Sequence, residues 1–324
     1  MRTRAAALLA AAVLGSLGLG LAAGAVPLSA NEVWDGLWRA DAPSSTIVRE
    51  LRAPRVLLAF LVGGSLAVCG AALQAMIRNP LAEPYLLGLS GGAGLGAVLA
   101  IASRAASAWA VPIAAFLGAL AAVGLVYRLS VAAGRRLDPR VLLLSGVVVG
   151  SFAGALMSAI IVLSDASGVR NAFLWLLGGF GAASWQSLAV FSAYAIAPLA
   201  WLGFQARALD LIALGDEPAH HLGAEVERTR RLVYLCTALL TAASVAACGI
   251  IGFVGLVVPH AVRTVSRPLH RSLLPLVFLS GGAFLVLSDV VSRTVVRPLE
   301  LPVGVITALV GVPLFALLLR RTLA

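Results

Sequence analysis

Apolar residues run along this 324-residue chain in blocks of 13 to 23 positions, separated by short segments rich in Arg, Asp, Gly and Pro. The blocks are residues 5–26, 55–77, 86–102, 111–131, 141–163, 188–204, 232–249, 250–262, 273–291 and 303–319. A spanning helix needs about 20 apolar residues. The pattern therefore predicts an all-α, polytopic membrane protein with about ten transmembrane helices, forming one transmembrane domain over residues 1–324. The first block follows Arg2 and Arg4 and carries small residues at 22–25, as a signal peptide does. It is longer than the 7–15 residues of a signal h-region, so it reads as an uncleaved first span. The longest early polar stretch, residues 31–54, holds Trp34 and Trp38, which suit a membrane interface.

Composition agrees with the pattern. The chain is 60% hydrophobic and 12% charged, against about 45–50% and 25% in soluble domains. A soluble enzyme or nucleic-acid-binding domain is excluded, and so is extended disorder.

Charge then orients the bundle. The net charge is +10, and all 24 basic residues are Arg. With the N-terminus inside, sixteen of them fall in inner loops, Arg135, Arg136 and Arg267 included, and eight outside. That bias predicts cytoplasmic termini. The absence of Lys means the chain cannot form a phosphate-cradling G-x-x-x-x-G-K-[ST] loop. ATP and Mg, if they drive the protein, bind a partner chain; no cofactor or metal is expected on this one. Cys69, Cys236 and Cys248 lie in apolar runs without C-x-x-C spacing and read as small buried hydrophobes.

The outer Arg are the exceptions. Arg49, Arg52 and Arg55 crowd the start of the second span, and Arg293 and Arg297 the end of the ninth. Charge alone allows interfacial snorkelling or a basic rim for an acidic partner. Asp289 lies four residues before Arg293, so the two share a helix face and can pair. No chain of buried acids or His crosses the spans, which argues against an ion-coupled carrier.

Two motifs suggest other chemistry. Gly88-Leu89-Ser90-Gly91-Gly92 matches G-x-S-x-G, but the elbow needs a strand-to-helix turn and a base within reach. His260 is the one His at a span edge, so an intramembrane serine protease using Ser90 and His260 is a minor reading. Ser65-x-Ala67-x-Cys69-Gly70 with Pro80 echoes Ser244-x-Ala246-x-Cys248-Gly249 with Pro259. The two spans run in opposite directions, the pattern of a transporter inverted repeat. The polar stretch 209–231 predicts a short amphipathic helix from Ala213 to about Leu222. Its acidic residues disfavour an anionic leaflet and favour a protein groove.

Read together, these motifs resemble the permease subunits of ABC importers for iron–siderophore, haem and cobalamin complexes, the FecCD family. The resemblance is carried by Leu51-Arg52-x-Pro54-Arg55, Gly70-Ala71-x-Leu73-Gln74, Arg78-Asn79-Pro80-Leu81-Ala82-Glu83-Pro84 and Leu87-Gly88-x-Ser90-Gly91. It continues through Trp175-x-x-Gly178-Gly179, Trp185, Leu214-Gly215-Asp216, Leu222-Gly223 and Gly249-x-x-Gly252-Phe253-Val254-Gly255-Leu256-x-x-Pro259-His260. Asp289, Arg293 and Glu300-Leu301-Pro302-x-Gly304-x-x-Thr307 complete it.

The resemblance implies a homodimer in the bacterial cytoplasmic membrane, two cytoplasmic ATP-binding subunits and one periplasmic or lipid-anchored binding protein. It implies that Arg52, Arg55 and Arg293 are sockets for the binding protein. It implies an ATPase-coupling helix over 213–223, with Ala213, Leu214, Gly215, Asp216, Glu217, Ala219, Leu222 and Gly223. Asn79, Leu81, Asp138 and Pro139 would form the cytoplasmic gate, and Ser145, Ser151, Met157 and Ser158 the pore wall. Iron complexes are the expected cargo, with cobalamin as the alternative.

Overall fold

The computed structural model describes residues 2–105, 107–133, 138–265 and 269–323. Arg135, Arg136 and Arg267 lie outside them. Every regular element among the described residues is helical. The chain opens with α1 (Arg2–Ala22) and a short α2 (Ala30–Trp38). A π-helical turn, Ile47–Arg52, leads directly into α3 (Ala53–Ile77). After a 3-10 turn at Pro84–Leu87 come α4 (Leu89–Ala102), α5 (Ala110–Ala133), α6 (Pro139–Leu163) and the short α7 (Ala166–Leu176). Then follow α8 (Trp185–Phe204), α9 (Ala206–Leu214), α10 (Asp216–His221), α11 (Val226–Cys248), α12 (Val254–Val265), α13 (His270–Ser292) and α14 (Val303–Leu323). Among the described residues, α3 with its π turn, α5, α6, α8, α11 and α13 are long and apolar enough to cross a membrane. Shorter apolar stretches lie in α1, α4, α12 and α14.

Several helices extend beyond their apolar blocks into polar sequence. Asp138 caps α6 by accepting from the Arg140 N–H, with Pro139 in the first turn. Helix α11 takes Glu227, Arg228, Arg230 and Arg231 into its opening turns. The pattern did not predict α7 as an element, because Ser167, Arg170 and Asn171 interrupt the apolar run there.

Helix α3 is the centre of the bundle: 83% of its most apolar stretch is buried, against 17% for α6. In lipid, helices associate through close packing of small residues rather than hydrophobic expulsion from water. Helix α3 supplies them at Gly63, Gly64, Ser65, Ala67, Cys69, Gly70, Ala71 and Ala72, all buried. A Cβ added at Gly70 would overlap the backbone of Gly255 on α12.

The connection between α11 and α12 breaks the helical backbone inside the bundle. Gly249 sits at φ +71 and Phe253 at φ +69. The freed N–H groups need partners where water is scarce. Phe253 N–H donates to the Glu83 carboxylate at 2.7 Å, and Ile251 N–H to the Tyr85 hydroxyl oxygen at 3.3 Å. Here the two halves of the sequence echo differ: α3 continues unbroken through Gly70, whereas α11 stops before Gly249. Backbone bonds from Gly179 N–H to Cys248 O (2.8 Å) and from Val303 N–H to Gly178 O (3.0 Å) join the ends of α7, α11 and α14.

Candidate functional site

Charged groups gather at the two ends of α3, whose 25 residues span about 37 Å. At the start of α3, the Arg55 guanidinium donates to Asp289 (2.9 and 3.0 Å) and to Glu300 (2.9 and 3.2 Å). Arg293 reaches the same Asp289 at 3.3 Å, so the pair expected from the i, i+4 spacing forms. Arg293 also donates to the Gly20 carbonyl at 2.7 Å. Arg52 donates to the carbonyls of Leu21 (2.7 Å), Ala22 (2.8 Å) and Val26. Two Arg thus satisfy the orphan carbonyls and negative dipole end of α1.

The three Arg expected as sockets for a binding protein are all engaged within the chain. Arg52 and Arg293 are buried, and Arg55 is nearly so. All three are held by this chain's own carboxylates and carbonyls. The reason is that α1 and α13 pack on α3 at the level where these side chains emerge. Glu300, half-exposed, is the outermost member of the cluster.

Beside it opens a cavity of about 760 Å³, lined among others by Arg55, Arg104, Asp165, Trp175, Phe180 and Glu300. Asp165 caps α7 and pairs with Arg104 at 3.1 Å. Hydrogen bonds from the Ser167 hydroxyl and the Gly168 N–H hold its carboxyl below the usual carboxylate range, and the Arg104 guanidinium adds to this.

At the other end of α3 the expected coupling helix is two helices. Helix α9 ends at Leu214 and α10 begins at Asp216, because Gly215 takes φ +124, a left-handed conformation that suits glycine. Leu209, Ile212 and Ala219 are buried and anchor the segment. Ala213, Glu217, His220 and His221 are exposed, Leu214 and Leu222 flank α10 at 66% and 57% exposure, and Gly223 turns away at φ +83. Asp216 accepts from Arg230 of α11 at 2.8 Å and faces Arg78, the residue that ends α3, at 3.6 Å.

Two of the four expected gate residues, Asp138 and Pro139, border the same cavity as Asp216. A cavity of about 620 Å³ is lined by Ile77, Arg78, Asp138, Pro139, Arg140, Asp216 and Arg230. Asn79 and Leu81 follow Arg78; the Asn79 side-chain oxygen accepts from the Leu81 N–H at 2.9 Å, and Leu81 is exposed.

The expected pore wall divides by helical period. Ser151 and Ser158 lie on the open face of α6 with Leu144, Val147, Val148 and Phe152. Ser145 is buried, on the Leu142–Val149–Ala153 face, and so does not line that surface. Met157 is half-buried, its sulfur directed at Gly94 of α4. The protease reading finds no support: among the described residues Nε2 of His260 has no hydrogen-bond partner, and the His260 ring lies against Phe315. The family motif includes Glu83 without assigning it a role, and Tyr85 lies outside the motif; Glu83-Pro84 and the glycines at 249 and 252 were the available signal.

An all-α bundle with a central small-residue helix, a broken α11–α12 crossing and charged clusters at both ends is a multi-pass membrane transport protein. The chain belongs to the FecCD transport family, whose model matches residues 8–321. It is 44% identical over 277 residues to the cobalamin import system permease protein BtuC of Halobacterium salinarum, covering 86% of this chain and 74% of that one. It is 38% identical to the vitamin B12 import system permease protein BtuC of Klebsiella pneumoniae, covering 92% and 89%. The ABC transporter permease protein YvrB of Bacillus subtilis, uncharacterised, is 37% identical over 94% and 90%. A solved inward-facing structure, assigned to the metal-chelate type of ABC transporter, superposes with a TM-score of 0.87 at 30% identity, covering 97% of both chains. As a permease of this family the chain is a transport subunit, not itself catalytic.

Proposed function

We propose that this chain forms the homodimeric membrane channel of a cobalamin importer. Two separate ATPase subunits drive it from the Arg78 end of α3, and one binding protein loads it at the Arg55 end. The observation that carries the orientation is α10: a short, partly acidic helix flanked by exposed Leu214 and Leu222, set beside the gate segment. Such a knob suits a protein groove. Helix α1 ends, and α14 begins, at the Arg55 end, so both termini belong on the ATPase side. The open face of α6, weakly polar at Ser151 and Ser158, suits a pore wall between two copies that lets a bulky complex leave again.

The names of the relatives support cobalamin as cargo. The metal-chelate neighbour supports an iron complex as the second reading. A binding-protein carboxylate that docks on Arg55 must compete with Glu300 for it.

The test is uptake into proteoliposomes that hold this chain with its ATPase subunits, fed by a loaded binding protein. ATP-dependent accumulation of cyanocobalamin is expected, and Ala219→Pro in α10 should abolish uptake while ATP is still hydrolysed. Accumulation of a ferric siderophore alone selects the second reading. Uptake without the ATPase subunits, or normal uptake by Ala219→Pro, contradicts the proposal.

A further inference from the structure

We infer that Arg78 is a positioning residue that transmits the movement of α10 to the gate segment through Asp216. The inference rests on the coupling role proposed above for α10.

The backbone of Arg78 is the first observation. It ends α3 in the left-handed region, at φ 55 and ψ 38, with its N–H bonded back to Ala75 and Gln74 and the Asn79 N–H reaching Gln74. This is the helix stop at which glycine, lacking a Cβ, is favoured. The chain instead sets a long cationic side chain there, immediately before Asn79 and Leu81.

Where that side chain goes is the second. Its Nη2 lies 3.6 Å from Asp216 Oδ1, and its Nη1 lies 3.4 Å from where a Cβ on Gly215 would stand. The guanidinium therefore rests on the hinge between α9 and α10, against a residue whose φ of +124 also favours glycine.

The third is an asymmetry around Asp216. Arg230 is buried and holds Asp216 through both carboxylate oxygens. Arg78 is half-exposed and more distant. One arm fixes Asp216 to α11; the other is soft enough to be remade when α10 shifts. An exposed ion pair adds little stability, so the Arg78 arm matters through the motion it passes on. Losing Asp216 would strand the buried Arg230 charge, and losing Arg230 would remove the arm that fixes Asp216 to α11, which makes both poor probes. Arg78 can be removed without that penalty.

The experiment replaces Arg78 with Gly and, separately, with Lys in the complete importer in proteoliposomes. It reads ATP hydrolysed per cyanocobalamin moved, together with the melting temperature. Gly suits the left-handed backbone, so Arg78→Gly should melt no lower than the wild type. It should need about fivefold more ATP or worse per cargo molecule, and Arg78→Lys should restore most of the ratio. A wild-type ratio in Arg78→Gly, with Ala219→Pro still uncoupling, overturns this link alone. A wild-type ratio in both Arg78→Gly and Ala219→Pro overturns the coupling role itself. A lowered melting temperature with an unchanged ratio assigns Arg78 to structure and also overturns the inference.

Discussion

At one end of α3, Asp289 is buried between Arg55 and Arg293; at the other, Asp216 stands half-exposed between Arg230 and Arg78. Each cluster is a carboxylate between two guanidiniums, and the surroundings make them different devices. The Asp289 cluster is desolvated and extended by carbonyls of α1, so every member depends on the others. The Asp216 cluster has one buried arm and one arm in reach of water, where the ion pair is weak and remakes easily. Burial separates a clamp that fixes helices from a joint that lets a segment move.

Three changes probe that difference. The largest effect is expected for Asp289→Ala. It leaves Arg293 buried without a counter-ion and should lower stability by about 3–5 kcal/mol, read as a large loss of melting temperature or of folded yield in detergent. An unchanged melting temperature would mean that the cluster is not a clamp. Arg78→Gly, at the opposite end, is expected to spare stability and alter coupling. The smallest stability effect belongs to Glu300→Gln, about 0–1 kcal/mol because the carboxylate is half-exposed. That variant frees one edge of Arg55, so it should tighten binding-protein docking, measured as the affinity of the permease complex for the binding protein. Unchanged affinity removes Arg55 from the docking surface.

Much of the bundle was legible because apolar runs report lipid-spanning helices directly. The Asp289–Arg293 pair was legible for a local reason, four residues along one helix face. What periodicity could not give was the third member: Arg55 is 234 positions from Asp289 and meets it only once α3 and α13 pack. The same blindness made Arg52 look like a free outer charge, when the carbonyls of α1 stand over it. Gly215 was visible, but only its φ of +124 shows that it divides the segment into α9 and α10. Likewise Ser145 and Ser151 look equivalent in a small-residue run, and only the packing of α4 and the Pro84–Leu87 turn on α6 buries one of them. Glu83 gains its meaning from an N–H 170 positions away.

The most direct measurement is hydrogen exchange across this chain in the complete importer, without binding protein, in the absence and presence of a non-hydrolysable ATP analogue. The account predicts that exchange changes in residues 78–83 and 214–223 and stays constant in residues 20–26 and 289–300. A change confined to 20–26 and 289–300, or an equal change at both ends, would contradict it.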